Sequence, residues 1–205
     1  GTAILIFTAG ALVIFFAGLS WKLIFTAAGL LAAFTPIMWS FVMREYQKQR
    51  VLTFLNPESD PLGSGWNIIQ SKTAIGSGGI EGKGWLMGTQ SQLEFLPESH
   101  TDFIIAVLAE ELGLIGVLLL LTLYFVIIMR CLYLSSRSET LFGKLLSGSL
   151  SVTFFIYLFV NIGMVSGILP VVGVPLPLIS YGGTSVISLL TAFGVLMSMS
   201  THNKH

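Results

Sequence analysis

Four carboxylates gather where a polar stretch runs into a long apolar one. Glu98 and Asp102 lie in LEFLPESHTDFIIAVLAEELG (93–113), and Glu110 and Glu111 follow inside or at the edge of the apolar run. A carboxylate at a membrane mouth is costly to dehydrate, so it needs water, a partner or a chemical task. An ionised Asp102, with His100 two residues before it, can take a proton from a sugar hydroxyl or hold a divalent cation beside a phosphate. The same place suits a helix N-terminus, where Thr101 or Asp102 would serve as a simple cap. On an ideal helix Glu110 lies ~80° around from Asp102 and ~12 Å along the axis, with Glu111 on the opposite side. At least one of the two must therefore face protein, either as a buried support or in the chemistry itself.

Other constellations are weaker. The run GSGGIEGKGWLMG (76–88) invites a phosphate-loop reading and fails it, because Ser77 stands where the first glycine belongs and Gly84 replaces the required hydroxyl residue. It reads instead as a tight loop, either pure turn chemistry or a cradle whose backbone N–H groups and Lys72 or Lys83 meet an anionic head group. The stretch GILPVVGVPLPLISYGGTS (167–185) holds Pro170, Pro175 and Pro177, carries no charge, and ends in Ser180, Tyr181, Gly182 and Gly183. Proline forbids a continuous helix here. Irregular backbone at membrane depth survives only when buried in protein or lining a wet cavity. The stretch is thus a re-entrant candidate, or else a loop covering the bundle from outside. Asn161 is an intramembrane polar residue suited to gluing helices together. The lone Cys131 excludes an internal disulfide, and His100, His202 and His205 are too scattered for zinc.

The elements that must position these residues are helices. Of the 205 residues, 54% are hydrophobic and 10% charged, far below the usual charged quarter of a soluble domain. The expected class is all-α, a polytopic transmembrane bundle forming one membrane domain over 1–205. Ten basic and ten acidic residues cancel, and no basic stripe exists to bind nucleic acid. No basic leader precedes the first apolar run, so no cleavable signal is expected, and the initial Gly1 suggests a piece of something longer. About five runs are long enough to cross a bilayer. Two fall within 2–43, roughly Thr2 to Leu19 and Trp21 to Met43, the second with Pro36 expected to kink it. Three fall within 102–199, about Asp102 to Leu134, Phe142 to Val165 and Ser185 to Met199. The third is longer than a perpendicular helix needs and must tilt or protrude. A re-entrant-like loop, 166–184, separates the last two. Residues 44–101 form the one large polar region, dense in turn signals, with amphipathic pieces such as Trp66 to Ile75 suited to a bilayer surface. Arg130, Arg137 and Lys144 between the third and fourth runs place that connection inside. The loop 44–101 is then extracytoplasmic and the C terminus cytoplasmic.

QSKTAIGSGGIEGKGW, GTQSQLEFLPESHTDFIIAVLAEELG and NIGMVSGILPVVGVPLPLISYGGTS together resemble the shape, elongation, division and sporulation (FtsW/RodA) family, its rod-elongation branch most of all. The likeness covers the whole chain and matches the C-terminal half of a family with about ten transmembrane helices. It implies a peptidoglycan glycosyltransferase of the bacterial cytoplasmic (inner) membrane. Such an enzyme polymerises lipid II on the outer face during cell elongation, beside a class B penicillin-binding transpeptidase of the rod-elongation complex. The family's essential aspartate falls at Asp102, as general base on the acceptor hydroxyl or as the group that places a divalent cation (Mg or Mn). The resemblance leaves Lys72, Lys83, Gln90, Glu94 and His100 as candidates for head-group contact or loop positioning. Ser180, Tyr181, Gly182 and Gly183 would help shape the site, with Glu110, Glu111 and Asn161 in support. Competing readings are a lipid II flippase using the same cavity, and a scaffold that only recruits the transpeptidase. The acids' place at the outer mouth, rather than the bilayer midplane where transporter sites cluster, favours surface chemistry.

Overall fold

The computed structural model describes residues 10, 18, 20–59, 63–92, 95, 96 and 98–202; the apolar run expected over Thr2 to Leu19 lies outside them, as does Glu94. The described residues contain helices and no strand. In chain order they are α1 (Trp21–Ile37), α2 (Glu45–Leu55), α3 (Ser64–Gly78), the single turn α4 (Thr89–Gln92), α5 (Ile104–Ser136), α6 (Leu141–Val165) and α7 (Gly183–His202). Of these, α5 and α6 are long and apolar enough to cross a membrane, and α7 contains a shorter apolar stretch, Gly183–Met199.

The polar middle of the chain is organised rather than open. Gln47 accepts the Arg44 N–H at 3.0 Å and starts α2. The third helix packs on α5 and also reaches α6. Its buried Ser71 hydroxyl lies 2.8 Å from the Val165 carbonyl, one of the carbonyls that the end of α6 leaves without a helical partner. Pro36 sits inside α1, and the backbone widens into a π turn at Met38–Val42 immediately after it. A proline removes one rung of the hydrogen-bond ladder, and a π turn is a usual way for the helix to accommodate the disruption.

The core lies where α5, α6 and α7 meet. Tyr124, Phe154 and Phe193, one from each helix, form a ladder with ring centroids 6.0 and 5.4 Å apart. Such tilted and edge-on contacts are the preferred aromatic geometries. The buried Tyr124 hydroxyl donates to the Pro177 carbonyl, so α5 also holds the irregular 166–182 segment. The α5–α6 hairpin closes at Thr140, whose hydroxyl accepts the Gly143 N–H at 3.0 Å as an N-cap.

The helix α5 is broken at Gly113, which adopts φ 64° and ψ −164°. The break frees backbone groups on both sides, and the glycine-rich segment takes them up. Lys83 and Gly84 donate their N–H groups to the Glu110 and Glu111 carbonyls, each at 3.0 Å. Leu114 and Ile115 donate to the Gly79 and Ile80 carbonyls at 3.0 and 3.2 Å. Only glycine permits this approach. A Cβ on Gly82 would lie 2.1 Å from the Glu111 carbonyl oxygen, and one on Gly113 would lie 2.3 Å from the Gly82 nitrogen. The stretch read as a possible head-group cradle is a splint across a broken helix.

Candidate active site

Asp102 sits just outside α5. The N-cap is Phe103, which makes no side-chain capping bond, so the simple-cap reading of Thr101 or Asp102 does not describe this helix start. The chain reaches it through a tight turn at Glu98, whose φ is +60°. The Glu98 carbonyl accepts the N–H groups of Thr101 and Phe103 at 3.1 and 3.2 Å. The Thr101 hydroxyl donates back to the Glu98 carboxylate. Thr101 therefore serves the turn and leaves Asp102 unengaged. Among the described residues the Asp102 carboxylate makes no hydrogen bond or ion pair. It is half-buried. Burial first, and the like charge of Glu98 second, raise it above the usual aspartate range.

Contacts from α6 and the 166–182 segment hold the backbone around Asp102 in place. The fully buried Asn161 side-chain amide donates to the Asp102 carbonyl at 2.8 Å and to the Val174 carbonyl at 2.6 Å. Ser180 accepts the Leu176 N–H at 2.7 Å and donates to the Thr101 carbonyl. The Tyr181 N–H donates to the His100 carbonyl at 3.0 Å. Gly173, at φ +75°, brings its Cα so near that a Cβ there would lie 3.4 Å from the Asp102 carboxylate. Sequence reasoning missed Gly173; its only signal was a glycine amid prolines in an uncharged stretch. Gly173 also lines a cavity of about 500 Å³ between α6 and α7, edged by Tyr157, Pro175, Thr184, Ser185 and Ser188. It is mainly apolar, with hydroxyls at several points of its wall.

The remaining candidates fall into separate places. Glu110 is fully buried, and five donors reach its Oε1: Lys83 Nζ at 2.7 Å, Thr89 N at 2.8 Å, Thr89 Oγ1 at 3.0 Å, Gln90 N at 3.1 Å and Ser77 Oγ at 3.5 Å. Lys83 and Gln90 are thus engaged with Glu110. Removing the Lys83 charge would leave the buried Glu110 without its counter-charge, whereas Lys83 itself is partly exposed. Glu111 is also buried, and among the described residues its carboxylate has no hydrogen-bond partner. Lys72 is exposed, and its stem crosses Gly167, where a Cβ would lie 2.3 Å from its Cε. The His100 carbonyl and the Ser180 hydroxyl contribute to the Asp102 cluster, Tyr181 is exposed beside it, and Gly182 and Gly183 lead from it into α7. Thr89 is a further residue that sequence reasoning missed; a threonine opening a one-turn helix gives no sign of the acid it serves.

The family model described as cell cycle protein, for FtsW, RodA and SpoVE, matches residues 1–205. The chain belongs to this family. It is 63% identical over 204 residues to the Escherichia coli K12 protein named peptidoglycan glycosyltransferase MrdB, covering 100% of this chain and 55% of that protein. It is 45% identical over 159 residues to the Treponema pallidum peptidoglycan glycosyltransferase RodA, across 78% of this chain and 37% of that one. A solved structure described as coordinating polymerization and crosslinking in a peptidoglycan synthase complex superposes with a TM-score of 0.82 at 30% identity. That match covers 99% of this chain and 56% of the other. This chain therefore spans about half the length of the Escherichia coli relative. The family resemblance drawn from the LPESHTDF and SYGGTS segments stands.

Proposed function

We propose that this chain carries the catalytic aspartate of a peptidoglycan glycosyltransferase that polymerises lipid II at the outer face of the bacterial inner membrane during rod elongation. The observation that carries the reading is the Asp102 carboxylate. It is half-buried, caps no helix, has no ion-pair partner among the described residues, and sits where three segments converge. The names of the relatives that match the chain support the same activity.

Asp102 accepts the proton of the acceptor sugar hydroxyl as that oxygen attacks the anomeric carbon of the lipid-linked donor. The bond from that carbon to the pyrophosphate oxygen breaks, the configuration inverts, and undecaprenyl pyrophosphate leaves. A raised carboxylate pKa suits this work, because a base nearer the operating pH removes a hydroxyl proton more effectively. Among the described residues no cluster of three or more metal-ligating side chains exists. A divalent cation would accordingly be held by Asp102, with Glu98 beside it and phosphate oxygens completing the shell, as magnesium commonly is, and it would neutralise the pyrophosphate charge. Lys72, exposed near the end of α6, would meet a head group; its exposure supports that role. About five membrane spans, an extracytoplasmic 44–101 loop and a cytoplasmic C terminus agree with this reading, which puts Asp102 at the outer mouth. The partner is a class B penicillin-binding transpeptidase; the matching synthase complex supports that choice.

The test uses purified full-length protein with lipid II. Asp102→Asn keeps the size and removes the base, and glycan polymer is expected to fall by a factor of about 10² or more, the scale of a lost general base. Polymer at the normal rate would sink the proposal.

A further inference from the structure

The Glu110 cluster lies apart from the Asp102 carboxylate, yet both belong to one piece of backbone. Gly113 separates the short helical segment Ile104–Leu112 from the rest of α5. Asp102 precedes that segment directly, and Glu110 lies near its other end. Continuous helix therefore does not tie the segment to α5. At the Asp102 end it is held by Asn161, Ser180 and Tyr181. At the Gly113 end it is held by the 79–84 splint and by the Glu110 carboxylate.

We propose that Lys83 and Glu110 are positioning residues for the reaction: their ion pair locks the Asp102-bearing segment to the extracytoplasmic loop and so sets where the Asp102 carboxylate stands. This rests on the glycosyltransferase reading above. An anionic Glu110 fits because every bonded neighbour of its Oε1 is a donor. Lys83 makes the shortest contact, at 2.7 Å, and also donates to Thr89 Oγ1 at 2.8 Å. Thr89 in turn gives its hydroxyl and backbone hydrogens to the same acid. The arrangement joins the start of α4 to the end of the segment through one carboxylate. Low-dielectric surroundings make such a bond strong and its loss costly. A neutral amide at 110 can keep an oxygen among the donors but loses the charge that Lys83 pairs with, and it turns an NH2 toward the Gln90 N–H that lies 3.2 Å from Oε2. Arginine at 83 keeps the charge and can still reach the acid.

The consequence for Asp102 is specific. A loosened segment lets the carboxylate leave the position from which it meets the acceptor hydroxyl. At the same time a misplaced base lowers turnover while substrate binding remains.

Full-length protein carrying Glu110→Gln, Lys83→Met or Lys83→Arg would be assayed across lipid II concentration, with Asp102→Asn beside them. Glu110→Gln and Lys83→Met are expected to lose at least tenfold in kcat with KM changed less than threefold. Lys83→Arg is expected to retain at least half the wild-type kcat. Amide hydrogen exchange, read without any turnover, is expected to quicken at 83, 84, 89 and 90 in the first two variants while α6 stays protected. Normal kcat in Glu110→Gln and Lys83→Met alongside an inactive Asp102→Asn would overturn the positioning role and leave the functional reading intact. A fall in kcat that Lys83→Arg does not restore, or loss of protection throughout α6, would reduce the pair to general stability and overturn it too. An active Asp102→Asn would remove the functional reading itself, and this proposal with it.

Discussion

Asp102 owes its character to what its neighbours do instead. Thr101 spends its hydroxyl on the Glu98 turn, Phe103 takes the cap position, and Asn161 bonds the Asp102 backbone rather than its side chain. The carboxylate is left to burial and to the charge of Glu98, both of which favour the protonated form. Glu98→Gln removes the second influence, so the Asp102 pKa should drop. On the proposal that Asp102 is the base, which must be ionised to act, the acid limb of the pH–rate profile should move to lower pH. A profile unchanged or moved upward would contradict the assignment of Glu98. At this scale the sequence was informative about identity and silent about engagement. A Thr-Asp pair before an apolar run looks like a cap in any chain, and only the left-handed turn at Glu98 redirects it. That at least one of Glu110 and Glu111 faces protein was legible from their helical offset, while the burial of both was not. The partners of Glu110 were not legible either, because Lys83 and Thr89 come from a segment some 20–30 residues earlier, and periodicity carries no long-range pairing.

Among the elements, the glycine-rich run shows how much composition can suggest without revealing a purpose. The density of glycine between 76 and 88 announced turns, and the failure of the phosphate-loop spacing was readable residue by residue. The object that the turns fit was not, since a broken helix in a long apolar run leaves no mark except Gly113 itself. Gly82→Ala tests the fit. Its Cβ would lie 2.1 Å from a backbone oxygen, and the residue holds φ +81°. The strain should cost on the order of 1–3 kcal/mol, the usual toll of such backbone states, and more if the loop lifts away. The melting temperature of the full-length protein in detergent should fall by several degrees. Gly76→Ala, with open space around its Cβ and ordinary helical backbone, should leave it unchanged or slightly raised. Equal melting temperatures for the two variants would show that the splint bears no stability. The expected kink at Pro36 followed from its missing N–H, but sequence could not show that the disruption would settle as a π turn two residues later.

For the whole molecule, composition and run length were enough to give the helical class, and the motifs gave the family. Orientation rests on charge distribution and is open to direct test. With Cys131 replaced by alanine, a cysteine at Glu81 should react with a membrane-impermeant maleimide in intact spheroplasts. One at Glu139 should react only after permeabilisation, both positions being exposed in the folded chain. The reverse pattern would invert the protein and remove Asp102 from the outer surface. The α5 break at Gly113 also bears on bilayer thickness. The residues after it, 114–136, span ~34 Å at 1.5 Å each, close to the ~30 Å hydrocarbon slab. The excess length that sequence reading assigned to tilt or protrusion can be shed at this single joint. A membrane that thins or thickens locally would then press on the rod below Gly113, while the nine or so residues above it ride on the loop. Lipid composition would thereby change the lean of that rod without moving Asp102, a joint that lets the fold sit in bilayers of different depth.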